Sequence, residues 1–408
     1  MRVKKIHIKD KETIKRCEEL ALLSRNLFNR ANYILRQAYS NKHENISEYK
    51  DLIQNNFISE YALIKRMRAL NDRDFRALNS YTSGYVLKHL YESWKSYFQL
   101  IKKYKKENVN KKVGLPSYAK DKKENVSFIT FEFGHDIKMI DDKLSFPKKT
   151  QLPPIKNIID DGVLKIINLT LVNGEYYYHL VYEENKKETS EIDDKKTLGI
   201  DIGINNIITA VDDNGESFII NGRIIKSINQ FFNKQMAKAH SYVGDKGTSS
   251  RIKALCHKRT NRFNNILHEM SNKVIEYCIE HKIGNIIIGK NKEWKQKCNL
   301  RKKTKQHFVQ IPHARLIDLI KYKAEQYNIK VIEQMESHTS KCDALAKEEI
   351  KHHDKYLGKR VKRGLFKSST GININADVNG ALNIMRKVVG DEFIDNLNMD
   401  KVIAPYKI

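Results

Sequence analysis

One stretch constrains the fold more than any other: TLGIDIGINNIITAVDDNGESFII, residues Thr197 to Ile220. It reads as a strand, a tight turn, a second strand, a turn at Asn214-Gly215 and a third strand. Asp201 interrupts the first strand, which is otherwise apolar. A carboxylate in that setting costs free energy unless it meets a cation, a donor or a metal. Standing alone, it would be read as a satisfied structural aspartate.

A second acid changes that reading. GININADVNGALNI (Gly371–Ile384) sets Asp377 in the first turn of an apolar helix. An acid there is often only helix-stabilising. The small residues Ala376 and Gly380, however, allow another element to come close. Paired with Asp201 in an α/β segment, Asp377 points to a divalent-metal site made of carboxylates from distant elements. Two hard cations held ~3.5–4 Å apart activate water and stabilise the leaving oxygen in phosphodiester hydrolysis.

Beyond residue 196 strands alternate with helices. A long basic helical hairpin runs from about Gly222 to His281 and the strand NIIIG (Asn285–Gly289) follows. Then come a helix from His313 to Tyr327, the strand KVIEQ (Lys330–Gln334), an irregular basic segment and a helix from Asn375. That is an α/β pattern. Before the polar, acidic linker Glu183–Lys196 the pattern differs. VKKIHI (Val3–Ile8) alternates as a strand does. Thr13 to Arg36 reads as a helix, with Leu20, Leu23, Leu27, Ala31 and Leu35 on one stripe. Helical pattern continues, interrupted, to about Lys106. Tyr81, Tyr85, Tyr91, Trp94, Tyr97 and Phe98 stud its last part and are read as core rather than as stacking platforms. From Val126 to Glu184 short alternating segments are split by turn signals such as Asn173-Gly174. The expected fold is α+β in two lobes. A β-barrel from residues 1–10 and 111–190 is interrupted by a helical insert over 11–110. An α/β domain over 196–390 follows, with a C-terminal tail over 391–408.

The charge is lopsided: 75 Lys and Arg against 49 Asp and Glu give a net +26. An AT-rich genome enriches lysine without excluding acids, so a polyanion partner is favoured. Three basic tracts stand out, each of which alone could be a solvated face. Expected phosphate contacts are Lys102, Lys103, Lys105 and Lys106 in the first, and Lys290, Lys292, Trp294, Lys295, Arg301 and Lys302 in the second. Lys359, Arg360, Lys362 and Arg363 form the third. No apolar run approaches the ~18–20 residues of a membrane span, and no signal peptide opens the chain. The five cysteines are scattered without a C-x-x-C pair, as free thiols in a reducing cytosol would be. A cytoplasmic protein with no membrane partner is expected.

These residues carry a resemblance. GIDIGINN, IIIGKNKEWKQ and TSK…NADVNGALNI resemble the RNase H-like (RuvC-type) nuclease domain of the TnpB family. That family comprises RNA-guided DNA endonucleases of bacterial insertion sequences, relatives of the type V CRISPR effectors. Nearly the whole chain is covered, since its first half resembles the family's wedge barrel with an inserted recognition domain. The resemblance implies a guide RNA from the element's end, a double-stranded DNA target cut beside a short motif, and Mg²⁺, two ions per site, as cofactor. A nuclease-inactive RNA-guided DNA-binding repressor and an RNA-independent transposase are the other readings.

Two departures from the family stand out. Its members often carry a four-cysteine zinc ribbon between the last two acidic motifs. Over 337–372 this chain has only Cys342; no zinc is expected, because a closed site needs four ligands. His338, Cys342, His352 and His353 are a remote alternative set. The family also places a glutamate at the end of the central strand, where Gly289 stands here. Glu293, Glu333 and Glu336 are the available replacements. Glu293 sits among lysines, and Glu333, inside KVIEQ, is expected on the other side of the sheet from Glu336. Some family branches relocate the acid to the exit of this strand, so Asp201, Glu336 and Asp377 form the expected catalytic and metal-binding set.

Overall fold

The computed structural model describes residues 1–40, 52–54, 57–107, 113–120, 129–184, 192–245, 247–290 and 311–408. The chain divides into two compact units, Met1–Asn185 and Lys186–Ile408.

In the first unit, strand β1 (Arg2–His7) leads into helix α1 (Lys11–Ser40). Asp10 caps that helix by accepting from the Thr13 amide at 2.8 Å. Its buried stripe, Leu20, Leu27, Ala31 and Leu35, follows the helical period. A short hairpin, β2 (Ile53–Gln54) and β3 (Phe57–Ile58), precedes helices α2 (Glu60–Ala69), α3 (Arg73–Ala77) and α4 (Ser80–Lys106). Trp94 of α4 is fully buried and gives its indole N–H to Asn32 of α1 at 3.0 Å. That bond satisfies the one polar atom of a large core side chain. Tyr81, by contrast, is exposed and stacks on His135. The strands β4 (Ile129–Glu132), β5 (Lys138–Ile140), β6 (Lys143–Ser145), β7 (Ile155–Lys156), β8 (Val163–Val172) and β9 (Glu175–Glu183) complete the unit. Among the described residues they form two sheets, β1-β9-β8-β4 and β5-β6-β7, both antiparallel.

The second unit is built on a six-stranded mixed sheet. It begins with the meander β10 (Asp193–Asp201), β11 (Asn206–Asp212) and β12 (Ser217–Asn221). Helices α5 (Arg223–Val243) and α6 (Ser250–Glu280) then lead to β13 (Ile283–Gly289). Helix α7 (His313–Gln326) connects to β14 (Lys330–Gln334). The three strands β14-β13-β10 run parallel, as crossover connections require. A small sheet follows: β15 (Lys359–Lys362), β16 (Leu365–Lys367) and β17 (Asn373–Asn375). The sequence reads this basic segment as irregular; the hairpin turns at Gly364, which has φ +81°. Every residue of β15 is exposed, so no alternation of burial marks it. Helices α8 (Ala376–Val389) and α9 (Met399–Ile403) lead to β18 (Tyr406–Lys407), which pairs with β12. The residues expected as a loose tail thus add an edge strand to the sheet.

The sheet is buried on both faces. Leu198, Ile200, Ile286 and Ile288 join a core with α6 and α7. Val211 and Ile287 face the other way, into a core with α8. The period-two rule puts Gly199, Asp201 and Gly289 on that second face. There α8 comes very close: a Cβ at Gly199 would stand 2.7 Å from the Ala381 carbonyl oxygen.

The segment over 337–372 is held by carboxylates. Asp343 is fully buried, and its Oδ2 accepts from Ser368 Oγ (2.9 Å), the Ser369 amide (2.7 Å) and Ser369 Oγ (3.0 Å). Buried Glu348 accepts from the Asp343 amide (2.7 Å) and the Leu357 amide (2.8 Å). Cys342 donates weakly to the carbonyls of Glu349 and Lys351. This network ties four stretches of chain that share little regular structure. Asp343→Ala strands Ser368 and Ser369 and is expected to cost about 2–3 kcal/mol, read as a lower melting temperature and as new protease cleavage within 337–372.

Candidate active site

Asp201 is the last residue of β10, one step past the Ile200–Ile288 pair. Gly289 ends the neighbouring β13 and pairs with Gln334, the last residue of β14. Three parallel strands therefore end at one level. Ligands in open α/β sheets bind outside such carboxyl ends.

The glycines at this edge are cradles for carboxylates. A Cβ at Gly380 of α8 would lie 2.6 Å from Asp201 Oδ2. A Cβ at Gly289 would overlap the Glu336 carboxylate and stand 2.5 Å from Ile384 Cδ1. Glu336, two residues beyond β14, therefore fills the space that a side chain on residue 289 would occupy. Asp377 is supplied by α8 itself. Asn375 caps the helix by accepting from the Asp377 amide at 2.8 Å. Asn206, the first residue of β11, donates to Asp377 Oδ2 at 2.8 Å.

Asp201 feels both of the other acids. Burial, then the charges of Glu336 and Asp377, push the Asp201 carboxyl well above the usual carboxylate range, and Arg360 acts against this. Burial pushes Glu336 up to about 7 against the opposing charge of Lys387. Arg360 of β15 stands 3.7 Å from Asp377 Oδ1. The acids nevertheless do not converge on a common point: among the described residues no three His, Cys, Asp or Glu side chains are close enough to share an ion. Like charges in a half-buried site repel, and Asp377 is drawn toward Asn206 and Arg360. His338, Cys342, His352 and His353 likewise form no such group among the described residues. The donor chemistry still suits a hard divalent cation, which takes oxygen ligands, and two backbone cradles are reserved for the carboxylates.

The other expected residues are distributed as follows. Glu333 pairs with Ile288 in register, so it faces α7, where it bridges Lys290 (2.6 Å) and Lys321 (2.5 Å). Lys290 is thereby occupied on the face opposite the acids. Lys102, Lys103, Lys105 and Lys106 are exposed at the C-terminal end of α4, in the first unit. Lys359, Arg360, Lys362 and Arg363 are exposed on and just after β15. Lys292, Trp294, Lys295, Arg301 and Lys302 lie outside the described residues, as does Glu293. Sequence reasoning missed Asn206, Lys226 and Lys387. The Lys226 ammonium is held below its usual range by burial, then by the charges of Arg363 and Arg223, which marks a cationic cluster on this unit. Asn206 and Lys226 are ordinary polar residues in sequence; only their meeting with Asp377 and Asn205 distinguishes them.

Comparison with known proteins bears on the fold and the family. Residues 179–295 match the family model OrfB_IS605, described as a probable transposase. Residues 313–384 match the Cas12f1-like TNB domain. Asp201 lies in the first match, Glu336 and Asp377 in the second. A TnpB-like protein, ORF457 of Acidianus two-tailed virus, is 24% identical over 414 residues, covering 92% of this chain and 84% of that protein. Among solved structures, the fold is similar to Cas12f1 in a cryo-EM complex with sgRNA and target DNA. That match has a TM-score of 0.56 and 17% identity, and it covers 92% of this chain and 83% of the other. The class is thus a mixed α/β fold like that of the Cas12f effectors. Together the two family models and the viral relative support a TnpB family protein.

An acid whose carboxyl is raised in the fold binds its proton more tightly there than in the unfolded chain. The metal-free second unit should therefore gain stability as pH falls from 8 through about 7. Glu336→Gln should flatten that dependence and raise the melting temperature at pH 8 by a few degrees, the shift produced by about 1 kcal/mol in a unit of this size. Calorimetry in the presence of a chelator measures both. An unchanged melting temperature in the variant would show that burial of the Glu336 carboxylate does not destabilise the unit.

Proposed function

We propose that this protein is an RNA-guided DNA endonuclease of transposon origin, with Asp201, Glu336 and Asp377 as its divalent-metal carboxylates. The observation that carries the reading is the Glu336 carboxylate lying in the cradle of Gly289, at the strand edge that bears Asp201. The acid that a nuclease of this kind needs on the central strand is supplied from the strand beside it. The family matches and the net charge of +26 support a nucleic-acid substrate.

The three carboxylates would hold Mg²⁺, two ions per site. When bound, such ions polarise the scissile phosphate and lower the pKa of a water. The chain's own contribution is placement. Asp201 and Asp377 are presented by a strand end and a helix start, both rigid, with Asn206 orienting Asp377. Arg360, Lys362 and Arg363 offer cations to phosphates at the same edge, while Lys102, Lys103, Lys105 and Lys106 offer them on the other unit. Sequence would be read by guide pairing rather than by protein side chains.

Asp201→Ala, Asp377→Ala and Glu336→Gln are each expected to reduce Mg²⁺-dependent cleavage of guide-matched DNA to background while leaving RNA binding intact. Glu333→Gln, on the far face, should keep wild-type cleavage. Cleavage is read on gels with RNA co-purified and sequenced from the same preparation. Wild-type protein that binds RNA and target DNA but cuts under no divalent metal would favour an RNA-guided repressor. Protein that carries no RNA would favour an RNA-independent transposase.

Phosphate contacts made by lysine and arginine release counterions, so affinity for guide RNA should fall steeply and linearly in log K against log salt. Neutralising Lys102, Lys103, Lys105 and Lys106 together should lower that slope by about 3–4 if all four touch phosphates. Filter binding across a salt series measures it, and an unchanged slope removes this tract from the interface.

A further inference from the structure

Glu336 has a problem that Asp201 and Asp377 do not share. Asp201 ends a strand paired on both sides, and Asp377 sits in a capped helix. Glu336 lies past the last ladder pair of β14, where the sheet no longer fixes the backbone. A metal-binding carboxylate on an unrestrained loop is positioned too loosely to act.

Helix α8 supplies the missing restraint. Lys387, in its last turn, sends its ammonium to the Met335 carbonyl at 2.9 Å and to the Ser337 carbonyl at 2.7 Å. Those two carbonyls flank Glu336. The carbonyl of Glu336 itself accepts from Thr339 Oγ1 at 2.9 Å, and the Thr339 carbonyl accepts from Asn383 of α8 at 2.9 Å. Gly380, Ile384 and Lys387 are spaced four and three residues apart, so they share one stripe of the helix. Gly380 makes room for Asp201, Ile384 lies against Gly289, and Lys387 reaches the loop. A lysine in a last turn is ordinarily explained by the helix dipole. Here two hydrogen bonds go to one loop, and an ammonium, with three donors on a flexible stem, can hold two carbonyls at once.

We propose that Lys387 is the positioning residue of the relocated glutamate: its ammonium ties the backbone on both sides of Glu336 to α8 and so fixes the carboxylate in the cradle of Gly289. The proposal rests on the reading of the three acids as a metal-dependent nuclease site, and its test separates the two. In the full chain, Mn²⁺ affinity is measured by the resonance of the free ion, and hydrogen exchange of the Glu336–Thr339 amides is measured without metal. Lys387→Met should weaken Mn²⁺ binding about tenfold, the loss typical when a group supporting a ligand is removed. It should also accelerate exchange of Glu336–Thr339 at least tenfold while exchange within α8 stays unchanged. Lys387→Arg should restore most of both. In a Glu336→Gln background, Lys387→Met should cost no further Mn²⁺ affinity, because the two changes act through one carboxylate.

Wild-type Mn²⁺ affinity in Lys387→Met overturns the proposal, provided that Glu336→Gln itself loses affinity. So does a tenfold loss that persists in the Glu336→Gln background, since that would be general damage. If Glu336→Gln binds Mn²⁺ as the wild type does, the metal-site reading fails; exchange of Glu336–Thr339 then decides whether Lys387 fixes the loop, and unchanged exchange overturns it.

Discussion

The approach of α8 to the strand ends is the contact on which the site is built. Side chains on either surface would hold a helix about 10 Å from a sheet. Gly199 and Gly380 remove that spacing at two points, one against the Ala381 carbonyl and one against the Asp201 carboxylate. The closeness brings Asp377 to Asp201 and lets Ile384 and Lys387 reach the neighbouring strand exits. Polar groups buried by it are paired: Asn379 bonds the Cys342 carbonyl and the Ala344 amide, and Asn383 bonds the Thr339 and Cys342 carbonyls. A helix buried almost all round, with amides rather than aliphatics on one side, is thus both a core element and a scaffold for the loop after β14.

The relocated acid follows from what a metal site requires. Charge and reach matter there, and chain position does not. Adjacent parallel strands end 4.7–4.9 Å apart, so a glutamate stepping off one strand can reach the end of the next. The substitution has a condition: the old position must be emptied, since a side chain on residue 289 would collide with Glu336. It also has a cost, because the new acid leaves the ladder and must be restrained by other means. Burial of the carboxyls, visible in the raised Asp201 and Glu336, is the strain that a functional site carries at the expense of stability.

The segment over 337–372 solves a similar problem in its own way. Four thiolates on one zinc would fold an irregular loop by a single strong centre. Here Asp343 and Glu348 gather amides and hydroxyls from four stretches, with Cys342 as a buried minor partner. A buried carboxylate accepts several bonds at once, so one side chain can organise many donors. The β15–β16 hairpin that carries Arg360 stands on this base.

Much was legible before any coordinates. The apolar strand broken by Asp201, the turn at Asn214-Gly215, the strand KVIEQ and the helix around Asp377 are local patterns, and periodicity specifies them because burial is one-sided and regular. The choice of Glu336 over Glu333 was also open to the period-two rule, which puts Glu333 with Lys290 and Lys321 on the α7 face. What sequence did not determine is which residues meet. No pattern says that Gly289 is empty for Glu336, that Gly380 yields to Asp201, that Lys387 turns to Met335 and Ser337, or that the last residues add a strand to the sheet. These are contacts between elements far apart in the chain, set by helix placement and strand register. Local propensity fixes the elements; the tertiary structure alone decides which side chains share a space.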